Sequence, residues 1–165
     1  MQDKAPQGIE LREAHAVEDF AQARTLFVAY ADSVARPECF PGFEQELLQM
    51  PRMYAPPHGG LFVAFKDGLA AGCCGFRARS DTDHTNACEM KRLFVLPAFR
   101  RFGLGHLLVA ATLDAARVSG YSCMLLDTLS EMESARALYE EMGFAPVPPF
   151  APSPIPGAHH LKVQL

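Results

Sequence analysis

Residues 100–106 read Arg-Arg-Phe-Gly-Leu-Gly-His. Two cations followed by two closely spaced glycines suit one chemistry in particular, the holding of phosphate. The stretch before them, Glu89 to Val95, is rich in apolar and β-favouring residues, and Pro97 cannot continue a sheet ladder. After them, Leu107, Leu108, Ala111 and Ala115 recur at helical spacing. A strand therefore feeds a glycine loop, and the loop opens a helix from His106. The first N–H groups of a helix have no internal acceptor, and its dipole favours an anion there. Gly103 and Gly105 let the chain bend and let a ligand approach with no Cβ in the way. Arg100 and Arg101 add charge and planar donors. Charge-assisted hydrogen bonds are worth about 1.5–3 kcal/mol each, so several together would hold a diphosphate. The same spacing also fits an ordinary strand-to-helix turn with solvent-facing arginines.

The totals narrow the partners. A chain of 165 residues, 49% hydrophobic, is expected to form one domain with a packed core. No apolar run approaches the roughly 20 residues that a membrane helix needs. The polar stretch MQDKAPQGIELRE does not look like a secretory signal, so a cytoplasmic location is expected. The net charge of −4 argues against nucleic acid, whose partners need a basic face. Within it, a local basic patch of Arg92, Arg100 and Arg101 suits one small polyanion. The five cysteines are odd in number and lack a Cys-x-x-Cys spacing. They read as buried small hydrophobes rather than a disulfide framework or a zinc site, and no metal is expected. Cys88 stands beside Glu89 but would need an activating neighbour to react.

The elements that must position these residues follow from periodicity. Ile9 to Glu13 reads as a short strand. Val17 to Val34 carries Phe20, Ala23, Phe27, Tyr30, Ala31 and Val34 at three- and four-residue steps, a helix with one apolar stripe. A short helix from Phe43 to Met50 is expected to stop at Pro51. Leu61–Phe65 and Leu69–Ala78 form a hairpin around Asp67-Gly68. Gly72 and Gly75 inside the second strand suggest a bulge or a close neighbour. The Glu89–Val95 strand completes a meander. Ser119-Gly120 stops the central helix, and Tyr121 to Asp127 is a nearly continuous apolar strand, parallel to Glu89–Val95. Ser130 and Glu133 match a capping box for a helix bearing Ala135, Leu138, Tyr139 and Met142. Gly143 ends it, with Phe144 packing back. The proline-rich run Ala145–Gly157 reads as a stiff loop between two final strands, a pocket wall or a spacer.

This order and three motifs together resemble the GNAT superfamily of N-acetyltransferases. The family's phosphate loop, Arg/Gln-x-x-Gly-x-Gly/Ala, is matched by Arg100-Arg101-Phe102-Gly103-Leu104-Gly105. Its strand pattern, an acidic residue and then Leu-x-Val-x-Pro, is matched by Glu89, Leu93, Val95 and Pro97. Its late helix is matched by Ala135, Leu138, Tyr139, Gly143 and Phe144. The likeness covers nearly the whole chain. EMKRLFV, LDTL, ALYEEMGF and PIPGA are also similar to a bacterial subgroup of small acetyltransferases. One departure stands out: where many relatives carry an Asn three residues before the helix alanine, this chain has Met132, which lacks the amide's hydrogen bonds.

The resemblance implies an α/β chain with a mixed central sheet of about six to seven strands flanked by about four helices. It implies acetyl-CoA as cofactor. Arg100, Arg101 and the loop from Phe102 through Gly103, Leu104 and Gly105 to His106 would bind its diphosphate. The backbone of Leu93, Phe94 and Val95 would pair with pantetheine as an added strand does. Glu89 would be the base that takes a proton from the amine, directly or through water; it also reads as a strand carboxylate paired with Lys91 or Arg92. Tyr139 would protonate the leaving thiolate, and also fits a core aromatic. Tyr30, Phe40, Phe43, Tyr54 and Phe150 are candidate pocket walls. Arg77, Lys91 and Arg92 are candidate anchors for a substrate carboxylate. His159 and His160 face the site or solvent. The expected reaction is acetylation of a small-molecule amine or amino acid, with no nucleic-acid or membrane partner and a homodimer allowed. A peptide or protein amine is the alternative substrate, and a CoA-binding module without turnover the alternative function. A nucleotide triphosphatase is disfavoured, because RRFGLGH lacks a Gly-Lys-Ser/Thr ending.

Overall fold

The computed structural model of the chain describes residues 8–150 and 155–165. Among the described residues, seven strands form one mixed sheet. β1 (Ile9–Glu13), β2 (Gly60–Lys66), β3 (Leu69–Arg79) and β4 (Ala87–Val95) make an antiparallel run, with Asp67-Gly68 closing the β2–β3 hairpin as expected. β5 (Cys123–Leu129) lies parallel to β4. β7 (Ala158–Gln164) inserts between β5 and the two-residue β6 (Ala145–Pro146), giving the order β1-β2-β3-β4-β5-β7-β6.

Among the described residues five α-helices cover the sheet: α1 (Val17–Val34), α2 (Phe43–Leu48), α3 (Met50–Met53), α4 (Leu104–Val118) and α5 (Glu133–Glu141), one more than expected. The α1 stripe of Phe20, Ala23, Leu26 and Phe27 packs against Val63, Cys73 and Phe94 on one face. On the other, Leu104, Leu108 and Val109 of α4 and Tyr139 of α5 pack against Cys74, Cys88, Met124 and Leu126. Adjacent Cys73 and Cys74 serve opposite faces, as the two-residue period of a strand requires. Each fully buried apolar side chain contributes about 1.5–3 kcal/mol. Among the described residues no helix is long and apolar enough to cross a membrane.

Some boundaries differ from expectation for physical reasons. Pro51 does not stop a helix; it sits in the first turn of α3, where its missing N–H has no acceptor to lose. The apolar run after Gly120 enters the sheet two residues later than read, at Cys123. Ser130 caps nothing in α5, whose N-cap is Met132; its hydroxyl donates to Gly157 O (3.1 Å) and meets His159 Nε2 (2.8 Å) instead. Positions 151–154 of the proline-rich loop lie outside the described residues.

Two irregularities shape the centre. Cys73 pairs with Phe94 and Gly75 with Lys91, so β3 takes two steps where β4 takes three. The extra β4 residue is a bulge, with Arg92 at φ 117. Gly75 sits opposite it, where a Cβ would lie 2.9 Å from Gly60 O. The second irregularity is that β4 and β5 pair only from Ala87↔Cys123 to Glu89↔Leu125 and then part.

Candidate active site

The parting of β4 and β5 opens a cavity of about 80 Å³ through the sheet, its walls including Lys91–Leu93 of β4 and Leu126–Leu129 of β5. Tyr30 and Val34 of α1 close one side, with Cys39 and Phe40 from the short turn Pro37–Cys39 and its end. Met132, Ala135 and Tyr139 close the other, and Ile155 and Ala158 complete the wall from the late loop and β7. Part of the proline-rich loop thus does serve as a wall.

Beyond the end of β4 stands the glycine loop. Gly103 is the N-cap of α4 at φ 73, a conformation that costs glycine little, and the helix begins at Leu104, two residues before the expected start. Leu107 N–H is the first to bond back, to Gly103 O (3.3 Å). From Arg101 to His106 no N–H finds a main-chain acceptor among the described residues. These donors, the helix dipole and the exposed Arg101 form a cradle that fits a diphosphate. Arg100 contributes less directly: its Nε donates to Val95 O (2.8 Å), tying the loop to the end of β4. Phe102 is exposed beneath the Lys66 ammonium (4.9 Å to the ring centre). Along the gap, β4 beyond Glu89 has no strand partner on the β5 side, so its main chain is open to an extended ligand.

Tyr139 lines the cavity, packed edge-on against Phe144 (5.7 Å). Burial pushes its hydroxyl far above the ordinary tyrosine range. That hydroxyl makes no hydrogen bond among the described residues, yet is not among the fully enclosed polar atoms. It is a protonated phenol presented to the cavity, suited to donate. Tyr30 stacks on Phe94 (5.4 Å), and burial holds its hydroxyl at about 12. Its O–H donates to Met132 Sδ (3.7 Å), as does Thr128 Oγ1 (3.6 Å). The methionine that replaces the family amide therefore closes the wall as a weak acceptor.

Several expected roles change. Glu89 is 1% exposed and does not line the cavity; its carboxylate is held by Arg79 Nη1 (2.5 Å) and Lys91 Nζ (3.2 Å). Burial alone would raise its pKa, but Lys91 and then Arg79 outweigh it and hold the group below the ordinary glutamate value. With both oxygens held by cations and its side chain off the cavity wall, Glu89 stands apart from the cavity that a base was expected to face. Arg92 is 8% exposed and spent on Glu46, through Nε–Oε2 (2.5 Å) and Nη2–Oε1 (3.0 Å), with Phe40 and Phe43 flanking its guanidinium. Its Nε–Nη2 side is taken by Glu46, which neutralises its charge at the cavity wall. Lys91 lines the cavity but is paired, and Arg77 faces Glu89 across the β3–β4 ladder without lining the cavity. Of the proposed walls, Tyr30 and Phe40 are present. Tyr54 is core, edge-on to Phe27, and Phe150 packs on His160 (4.8 Å). His160 is buried with neither ring nitrogen bonded. Two residues went unassigned in the sequence: Glu46, which nothing local distinguishes, and Asp127, the lone acid in an apolar strand.

Comparison with known proteins agrees with this geometry. The profile of the Acetyltransferase (GNAT) family matches residues 15–144. An uncharacterized N-acetyltransferase of Schizosaccharomyces pombe is 32% identical over 161 residues, 97% of this chain and 97% of its own. An acetyltransferase structure from Streptococcus agalactiae superposes with a TM-score of 0.77 at 20% identity, covering 96% of this chain and 99% of that one. The structure of Salmonella typhimurium YncA with its cofactor acetyl-CoA gives a TM-score of 0.67 at 18% identity, covering 96% and 94%. A yeast relative of equal span takes the likeness beyond the bacterial subgroup that the sequence motifs suggested. On the family match over most of its length, the chain belongs to the acetyltransferase (GNAT) family.

Proposed function

We propose that this protein transfers the acetyl group of acetyl-CoA to the primary amine of a small molecule. The observation that carries the reading is the phenol of Tyr139 in a cavity bordered by the open edge of β4, the same strand that leads on to the unbonded N–H groups of residues 101–106. Acetyl-CoA is the donor and supplies an activated acyl carbon. Arg101 and the loop from Phe102 to His106 hold its diphosphate, and the main chain of Leu93 to Val95 runs beside its pantetheine arm. Tyr139 donates its proton to the departing sulfur. A small acceptor is favoured over a peptide by the modest volume of the cavity and by its cover on both sides, from Phe40 and from Ile155. Glu89, fixed between Arg79 and Lys91, positions Lys91 at the wall.

The test is thiol release from acetyl-CoA in the presence of a panel of primary amines, with calorimetry for acetyl-CoA itself. Amine-dependent release supports the reading. Tight binding with no release on any amine points to a binding module.

A further inference from the structure

Among the described residues the cavity is lined by three charged side chains, of which one lacks an opposite partner. Lys91 is paired with Glu89, which also meets Arg79, itself bonded to Asp81. Arg92 is paired with Glu46. Each set is neutral as a whole. Asp127 is exposed, lines the cavity, and makes no ion pair or hydrogen bond among the described residues. It is the only carboxylate among the described residues of that lining. Its position in β5 also matters. Met124 and Leu126 pack on the α4 and α5 face, whereas Leu125 belongs to the opposite face with Ala87 and Cys123. By the two-residue period Asp127 shares the face of Leu125, away from Tyr139. The phenol and the free carboxylate thus approach the same cavity from opposite sides of the sheet. Tyr139 stands on the side where α4 presents its N-terminus.

From this arrangement we infer that Asp127 receives the acceptor amine and takes its proton, and that the acceptor is a small cationic alkylamine with no carboxylate beside its nitrogen. The inference rests on the acetyltransfer reading above and names its substrate class. A primary amine is an ammonium ion in water, and Asp127 offers it the unmatched negative charge. The two cations that would hold an adjoining carboxylate are already neutralised by Glu89 and Glu46, so an amino acid would set its carboxylate against Asp127. Val34, Phe40 and Ile155 suit a short apolar chain. In the step itself, Asp127 accepts one proton from R–NH₃⁺. The freed nitrogen pair bonds to the thioester carbonyl carbon as the carbon–sulfur bond breaks. Tyr139 gives its phenolic proton to the sulfur and is restored by the second proton leaving the new amide nitrogen. The proton on Asp127 returns to solvent, so that one ammonium and one thioester yield one amide, one thiol and one proton.

The test uses matched pairs that differ only in the carboxylate: butylamine against norvaline, and 2-phenylethylamine against phenylalanine. Thiol release is followed with the full-length protein. The amine of each pair is expected to show the higher kcat/KM, by at least about tenfold, because like charges set side by side are rejected. Asp127→Asn is expected to lower kcat/KM for the amines by roughly 10²–10⁴ and to shrink the preference within each pair, while acetyl-CoA binds as in the wild type. The preference in the wild type does not depend on how the variant folds. Faster turnover of norvaline or phenylalanine would overturn this inference and leave acetyltransfer standing. So would an Asp127→Asn protein with wild-type rate and preference. No turnover of either member of either pair, with acetyl-CoA bound, would overturn the substrate class named here, and only silence on the wider amine panel as well would overturn the acetyltransfer reading.

Discussion

Arg92 and Glu46 are joined by two hydrogen bonds in a buried fork, although one stands at the bulge of β4 and the other on α2. The pair fixes the backbone at the point where β4 leaves β5, with Arg92 at φ 117. Removing one partner leaves a buried charge uncompensated, which typically costs about 3–5 kcal/mol. Glu46→Ala is therefore expected to lower the free energy of unfolding by that much, as read from a denaturant titration. A loss below about 1 kcal/mol would mean that the pair behaves as an exposed one.

Tyr139→Phe separates chemistry from packing. The ring keeps its edge contact with Phe144, and the hydroxyl has no hydrogen bond to lose among the described residues. Thermal stability and acetyl-CoA affinity are expected to hold, while kcat falls by roughly 10²–10⁴. Steady-state kinetics beside a melting curve checks both halves. Wild-type turnover would remove the phenol from the mechanism.

Glu89 predicts a pH dependence of stability. Its pKa is lowered in the folded chain, because Lys91 and Arg79 outweigh burial. The unfolded chain therefore binds the proton more readily. The contribution is present above the ordinary glutamate value of 4.5 and is lost as pH falls through the lower folded value. In Glu89→Gln this dependence disappears, so its Tm should fall less steeply than the wild type's below about pH 4.5. Parallel slopes in the two proteins would show that the ion triad is not formed in solution.

Much of the scaffold is legible in the sequence. The α1 stripe, the Asp67-Gly68 turn and the Gly103 loop are local signals, and each appears where its residues stand. The misreadings share one cause, information that lies far away in the chain. Ser130 looks like a helix cap until His159 and Gly157 claim its hydroxyl. Glu89 reads either as a base or as a carboxylate paired with Lys91, and only the fold adds Arg79 from β3 to that pair. Arg92 looks like a surface cation until a helix 46 residues earlier supplies Glu46. Asp127 was visible as a lone acid in an apolar run. Only the opening between β4 and β5 gives that acid a cavity to face.

The account rests above all on the main-chain cradle at the start of α4. Arg101 is its exposed charge and has no partner among the described residues, so Arg101→Glu alters the ligand's environment with little effect on the fold. One charge-assisted hydrogen bond is worth about 1.5–3 kcal/mol, and reversal of the charge adds repulsion. Calorimetric titration of acetyl-CoA into the wild type is predicted to show saturable binding, weakened by roughly tenfold or more in Arg101→Glu at low salt. No uptake by the wild type, or the same affinity in both proteins, would contradict it.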